Sequence, residues 1–159
     1  MTTTITEIKA HADPYPGVSF PYWHCSVENS SGLPFRLMPD CMSSHYENTE
    51  EHVSTFRAML GELLNHEVEG LVPADIRVEF RKFEFRKQSS GRYMNPKHEG
   101  SLYFKIYSDD RKDLFSTGME MKCYYTGATS SDDCLSFLKE IFSEQFHEAL
   151  DKCDKSIRA

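Results

Sequence analysis

The sequence predicts an α+β fold: an antiparallel sheet of three or more strands with two helices packed on one face, preceded by a proline-rich segment. Three observations predict it. Apolar residues recur at helical spacing around residues 53–64 and again at 134–150. Between residues 76 and 125 they alternate in twos. Five of the seven prolines fall before residue 40. The order reads helix, three strands, helix, as a core over residues 48–152 of one domain spanning 1–159.

Residues 1–47 read as irregular or extended, because proline fixes φ and lacks the donor that helices and ladders need. Within them "YWHCSV" (22–27) alternates, which sets Trp23, Cys25 and Val27 on one face of a short strand. The expectation is an arm that supplies an edge strand or a cover. The first helix opens at Asn48, with Glu51 three residues on as in a capping box. Val53, Phe56, Leu60, Leu63 and Leu64 then mark one apolar stripe to about His66. Gly70 and Pro73 bar its continuation.

The stretch "ADIRVEFRKFEFRK" (74–87) repeats a unit of five, VEFRK then FEFRK, although side chains alternate in twos along a strand. Ile76, Val78 and Phe80 therefore share one parity, and Phe83 and Phe85 the other. Two solutions exist. An extra residue at Arg81–Lys82 forms a bulge and returns all five to one face, or a regular strand presents Phe83 and Phe85 to a second layer. The following "QSSGRYMNPKHEG" is too long for a tight hairpin turn. Leu102, Phe104 and Ile106 next alternate with Tyr103 and Lys105, and beyond the polar turn "SDDRKD" Met119, Met121, Cys123 and Tyr125 alternate with Glu120, Lys122 and Tyr124. These are two half-buried antiparallel strands joined as a hairpin, with Gly118 at a bulge or close approach.

The last helix is capped by Ser130 or Ser131, with Asp132 and Asp133 at the positive end of its dipole. Cys134, Phe137, Leu138, Ile141, Phe142, Phe146, Ala149 and Leu150 give it a wide apolar face over nearly six turns. Its other side carries an acidic ridge, Glu140, Glu144, Glu148 and Asp151, at spacings of four, four and three. Like charges at that spacing disfavour a helix by about 0.2–0.5 kcal/mol per pair. Such a ridge is a wet helix face or a seat for a basic partner.

Charge is unevenly spread. Residues 1–74 sum to −7, residues 75–105 to +4 and residues 106–159 to −4. The positive island is Arg81, Lys82, Arg86, Lys87, Arg92 and Lys97, with Tyr93 interleaved. It suits a phosphate backbone or an acidic protein, and equally a solvated strand with Glu79 and Glu84 as counter-charges. The chain's overall acidity speaks against simple non-specific nucleic-acid binding, while leaving a local island free to act.

Catalytic signatures are missing: no G-x-S-x-G, no phosphate-cradling glycine loop and no H-E-x-x-H. Cys41, His45 and His52 lie near Glu50 and Glu51, but the spacings match no common zinc motif. The five cysteines include no C-x-x-C pair and read as reduced thiols, and no apolar run reaches membrane-spanning length. The opening "MTTTITEIKA" has neither the basic nor the apolar part of a signal peptide, so the expected location is cytoplasmic.

The order of elements over about 49–152 resembles that of double-stranded RNA-binding domains. Members of that family carry a lysine-rich start to the second helix. Here that place reads "SSDDCLSFLK", with Asp132 and Asp133. A strand meander closed by a helix also recurs in small chaperones and inhibitory proteins. The function expected is that of a non-catalytic protein-binding module, an adaptor, inhibitor or small acidic chaperone. Its partner is another protein, or a second copy whose acidic ridge meets the basic island. No cofactor, metal or membrane is expected. Nucleic-acid binding through residues 77–97 is the alternative, and an enzyme or ligand pocket near Tyr22, His24 and His45 the third.

Overall fold

The computed structural model describes residues 3–13, 22–31, 35–39, 50–72, 75–87, 97–108, 115–126 and 130–158. In chain order these form β1 (Ile5–Asp13), β2 (Tyr22–Asn29), β3 (Phe35–Pro39), α1 (Glu50–Leu63), β4 (Ile76–Lys87), β5 (Lys97–Ser108) and β6 (Phe115–Thr126). Then follow α2 (Ser131–Ile141), a 3-10 turn (Glu144–Phe146), α3 (His147–Lys152) and β7 (Asp154–Arg158). The fold is α+β. Its main sheet has five strands in the order β3-β6-β5-β4-β7, and β1 and β2 pair antiparallel as a separate two-stranded sheet.

The sheet is mixed rather than purely antiparallel. β4 pairs antiparallel with β5 but parallel with β7, which adds itself after the last helix. A parallel partner needs a long crossover, and the two helical segments between β6 and β7 supply it. Residues 1–47, expected as irregular or extended with a short strand at 22–27 and an edge strand or cover, contain two paired strands, and β3 joins β6 as an edge of the main sheet. β1 packs against α1, and β2 lies beside β3.

The five-residue repeat resolves as a bulge. Phe80 sits opposite Phe104 and Lys82 opposite Tyr103, so Arg81 is the extra residue. Burial switches parity there: Ile76, Val78 and Phe80 are half-buried before it, and Phe83 and Phe85 are fully buried after it. In register with them, Leu102, Phe104, Ile106, Met119 and Met121 are buried as expected. Pairing runs through Gly118 without a shift, so that glycine is not a bulge.

α1 buries Phe56, Met59, Leu60, Leu63 and Leu64 in one cluster with the sheet residues and with Ile5 and Ile8 of β1. It stops sooner than Gly70 and Pro73 require. Asn65 adopts φ 50, a left-handed conformation that asparagine tolerates better than most residues. Its last carbonyls are all satisfied. Leu60 accepts from the Leu64 N–H at 2.9 Å and Gly61 from the His66 N–H at 2.9 Å. Leu63 accepts from the Ser143 N–H at 2.8 Å, and Glu62 accepts from the Ser143 hydroxyl. The end of α1 is thus capped by a residue eighty positions away in sequence.

That same serine marks a correction. The last helix is not one rod of six turns: α2 ends at Ile141, and Phe142 is extended at φ −79, ψ 148. In a continuous helix Lys139 and Asp151 would stand about 18 Å apart at a rise of 1.5 Å per residue. Instead the Lys139 ammonium donates to both Asp151 carboxylate oxygens at 3.0 Å, so α3 folds back towards α2. The break delivers the Phe142 ring edge-on to Phe80 and Phe104, with centroids 5.7 and 6.0 Å away. Ala149, expected on the apolar face, is exposed. The start of α2 matches expectation: Ser130 accepts from the Asp133 N–H at 3.2 Å, and Asp133 answers the Ser130 N–H at 3.4 Å.

Candidate functional site: the polar face of the main sheet

Alternation assigns the second face of the sheet once the registers are known. In β4 it takes Arg77, Glu79, Lys82, Glu84 and Arg86, and opposite them in β5 stand Tyr107, Lys105, Tyr103, Ser101 and Glu99. β6 adds Glu120 opposite Tyr103, and β7 adds Asp154 opposite Lys82. By register this face carries the cations Arg77, Lys82, Arg86 and Lys105, joined on the same parity by Lys122 of β6, Arg36 of β3 and Arg158 of β7, and the carboxylates Glu79, Glu84, Glu99, Glu120 and Asp154. The folded sheet interleaves charges that the linear sequence presents as a positive island.

Two tyrosines organise the rows. The Arg77 guanidinium and the Lys105 ammonium lie 5.0 and 5.3 Å from the Tyr107 ring centroid. The Lys82 ammonium lies 4.8 Å from that of Tyr103. These are cation–π distances. The Tyr107 hydroxyl donates to Glu79 at 3.2 Å, and Lys82 also pairs with Glu84 at 3.2 Å. Burial, then the charge of Glu120 and its hydrogen bond, raise the Tyr103 phenol above its usual range, with Glu84 acting in the same direction. Tyr103 accordingly stays a neutral donor at physiological pH. The rings are fixed from both sides and half-exposed.

Of the basic residues singled out by sequence, Arg81, Lys82, Arg86 and Lys87 are all exposed on β4. Only Lys82 and Arg86 share the polar face; Arg81 is the bulge residue, and Lys87 has the parity of the buried phenylalanines. Lys97 begins β5, with its side chain outside the described residues, and Arg92 lies outside them altogether. The acidic ridge is divided among α2, the 3-10 turn and α3. Asp151 is held by Lys139 at 3.0 Å and Glu148 by Lys152 at 2.9 Å, while Glu140 accepts from the Thr3 N–H at 3.2 Å. Of the four, Asp151 fastens the chain reversal between α2 and α3. Sequence reading missed Tyr103, Tyr107, Glu99 and Asp154 as one surface. The signal lay in strand parity, but using it required the register.

Cys41 and His45 lie outside the described residues, as do the side chains of His52, Tyr22 and His24. Among the described residues no group of three His, Cys, Asp or Glu could hold a metal, and no helix is long and apolar enough to cross a membrane. A cavity under the turn after α1, lined by Ala58, Gly61, His66, Val68 and Leu71, has a volume of about 30 Å³, room for a water molecule.

Cys25, Cys134 and Cys153 are free thiols. Burial pushes Cys25 up from 9.0 to about 12 and raises Cys153 as well. A thiol raised in the folded state favours folding below its unfolded pKa and loses that advantage as pH climbs from 9 towards 12. Native protein at pH 8 should accordingly react with iodoacetamide at Cys25 far more slowly than protein unfolded in urea. Peptide mapping by mass spectrometry reads the difference, and equal rates would show an accessible thiolate.

No family model, no curated protein and no solved structure matches this chain.

Proposed function

We propose that this protein is a non-catalytic protein-binding module that docks its partner on the polar face of the main sheet. The reading takes both long helices to lie on the opposite face, which leaves this one to the partner. The observation that supports it most is the row structure: fixed, half-exposed tyrosines, each beside a cation and a carboxylate. Tyrosine and arginine are enriched in protein interfaces, and charges of both signs select an orientation. A polyphosphate backbone would meet Glu79, Glu84, Glu99 and Glu120 as well as the cations, which weighs against the nucleic-acid alternative.

Affinity capture from the native host's lysate, after nuclease treatment, tests the reading. The bait is wild type or a variant carrying Arg81, Lys82, Arg86 and Lys87 all changed to alanine. These four side chains are exposed, so the variant should keep its circular dichroism and unfolding midpoint. A defined protein retained by wild type and lost from the folded variant is the expected result. Retention of the same protein by the variant, or recovery of nucleic acid alone, would overturn it.

A further inference from the structure

We propose that β7 is a self-association edge, through which two copies pair antiparallel about a twofold axis at Ser156 and merge their five-stranded sheets into one. The proposal concerns the edge of the sheet and does not rest on what docks on the polar face, although Asp154 belongs to both. β7 is bonded on one side to β4, and among the described residues no strand pairs with its other edge. Asp154, Lys155, Ser156 and Ile157 are all exposed. Ile157 is 63% exposed although its register partner Phe85 is fully buried. An apolar side chain stands where the core-facing row runs out at the sheet's border.

The sequence of the strand selects its occupant. Read forwards it is Asp-Lys-Ser-Ile-Arg, and read backwards Arg-Ile-Ser-Lys-Asp. Centred on Ser156, Asp154 falls opposite the second copy's Arg158 and Arg158 opposite its Asp154. The Lys155 stem falls opposite the second copy's Ile157, and serine meets serine. Arg158 is placed here by its backbone register alone. Opposite charges directly across an antiparallel pair are favourable, and an aliphatic lysine stem covers apolar surface. A shift that centres the pair on Lys155 sets lysine against lysine. A shift that centres it on Ile157 sets Arg158 against the second copy's Ser156 and gives up both pairs of Asp154 with Arg158. Only the Ser156 register uses all five residues, and it is isologous, so it closes as a dimer.

Depending on which alternate residues direct their backbone outward, this register forms about four to six new backbone hydrogen bonds. So short a pair buries less than a standard interface, so the dimer is weak and visible only towards about 1 mM protein.

Sedimentation equilibrium from about 10 µM to about 1 mM tests it, on wild type, Asp154→Arg and Arg158→Asp. Each single change places like charges opposite each other twice, so each variant alone should be monomeric while retaining native circular dichroism. An equimolar mixture of the two should dimerise, because both pairs between positions 154 and 158 are then of opposite sign. Wild type that stays monomeric throughout, species growing beyond the dimer, or single variants that dimerise as wild type does would each overturn the proposal. A variant that fails to fold is bypassed by hydrogen exchange on wild type. Amides of residues 154–158 should exchange more slowly as concentration rises, and concentration-independent rates would overturn it.

Discussion

Deletion of Arg81 should unfold most of the molecule, whereas Arg81→Ala should be nearly silent. The residue matters for its backbone. It is the one extra position that lets Ile76, Val78 and Phe80 on one side of the bulge and Phe83 and Phe85 on the other reach the same face. Without it, a continuous strand must turn one of the two sets to the polar face. Burying a phenylalanine is worth roughly 1.5–3 kcal/mol, so exposing Phe83 and Phe85 would remove roughly 3–6 kcal/mol. A whole domain has only about 5–15 kcal/mol in reserve. Turning the other set instead would expose three half-buried residues and break the Phe80 contacts with Phe104 and Phe142. Urea unfolding followed by far-UV circular dichroism should show the deletion variant unfolded or far shifted. Arg81→Ala, an exposed side chain, should lie within about 0.5 kcal/mol of wild type. A deletion variant as stable as wild type would mean that the bulge does not set the register.

Gly100→Ala should be destabilising although it adds a single methyl to a strand. A Cβ on Gly100 would overlap the Cys134 Sγ and stand 3.2 and 3.3 Å from atoms of the Phe83 ring. Cys134 is fully buried in α2, so neither atom has room to retreat. Overpacking of this kind costs typically 1–3 kcal/mol. Elsewhere in a strand the same change would gain a little by stiffening the unfolded chain. The double variant with Cys134→Ala removes the nearest obstacle. Its loss should therefore be smaller than the sum of the two single losses by about 0.5 kcal/mol or more. Unfolding midpoints of the four proteins give this comparison. A neutral Gly100→Ala would show that α2 does not approach β5 so closely.

These two positions also show how far the sequence could be read. The bulge was legible as one of two solutions, because the shift in parity between Phe80 and Phe83 is written in the residues. The hairpin of β5 and β6 and the Ser130 cap were legible for the same reason: alternation and capping are local, and each depends on a few neighbouring side chains. Gly100 was not. Nothing near it in sequence announces that Cys134 will press on it.

The divided last helix was hidden in another way. The segment from Ile141 to Glu144 contains no glycine or proline, and its apolar spacing suits an unbroken helix. What breaks it is the bond from Ser143 to the carbonyls of Glu62 and Leu63, together with the seat for Phe142 against Phe80 and Phe104. Both partners come from elements far away in the chain. β7 escaped notice because five polar-rich residues have no period long enough to read, and a parallel strand is identified by its neighbour.

The candidate site divides along the same line. By itself the sequence determined that the fold is α+β, that positive charge is concentrated between residues 75 and 105, and that apolar parity changes between Phe80 and Phe83. Such features follow from residue order over spans shorter than one element. Only the tertiary structure decided that Glu99 of β5 and Asp154 of β7 stand opposite two of those cations, that Asp151 of the acidic ridge fastens a chain reversal through Lys139, and that β7 has an unpaired outer edge among the described residues. Pairing register places residues tens of positions apart at strand spacing, about 5 Å. At that distance charges and ring faces act on one another, and no local pattern in the chain records it.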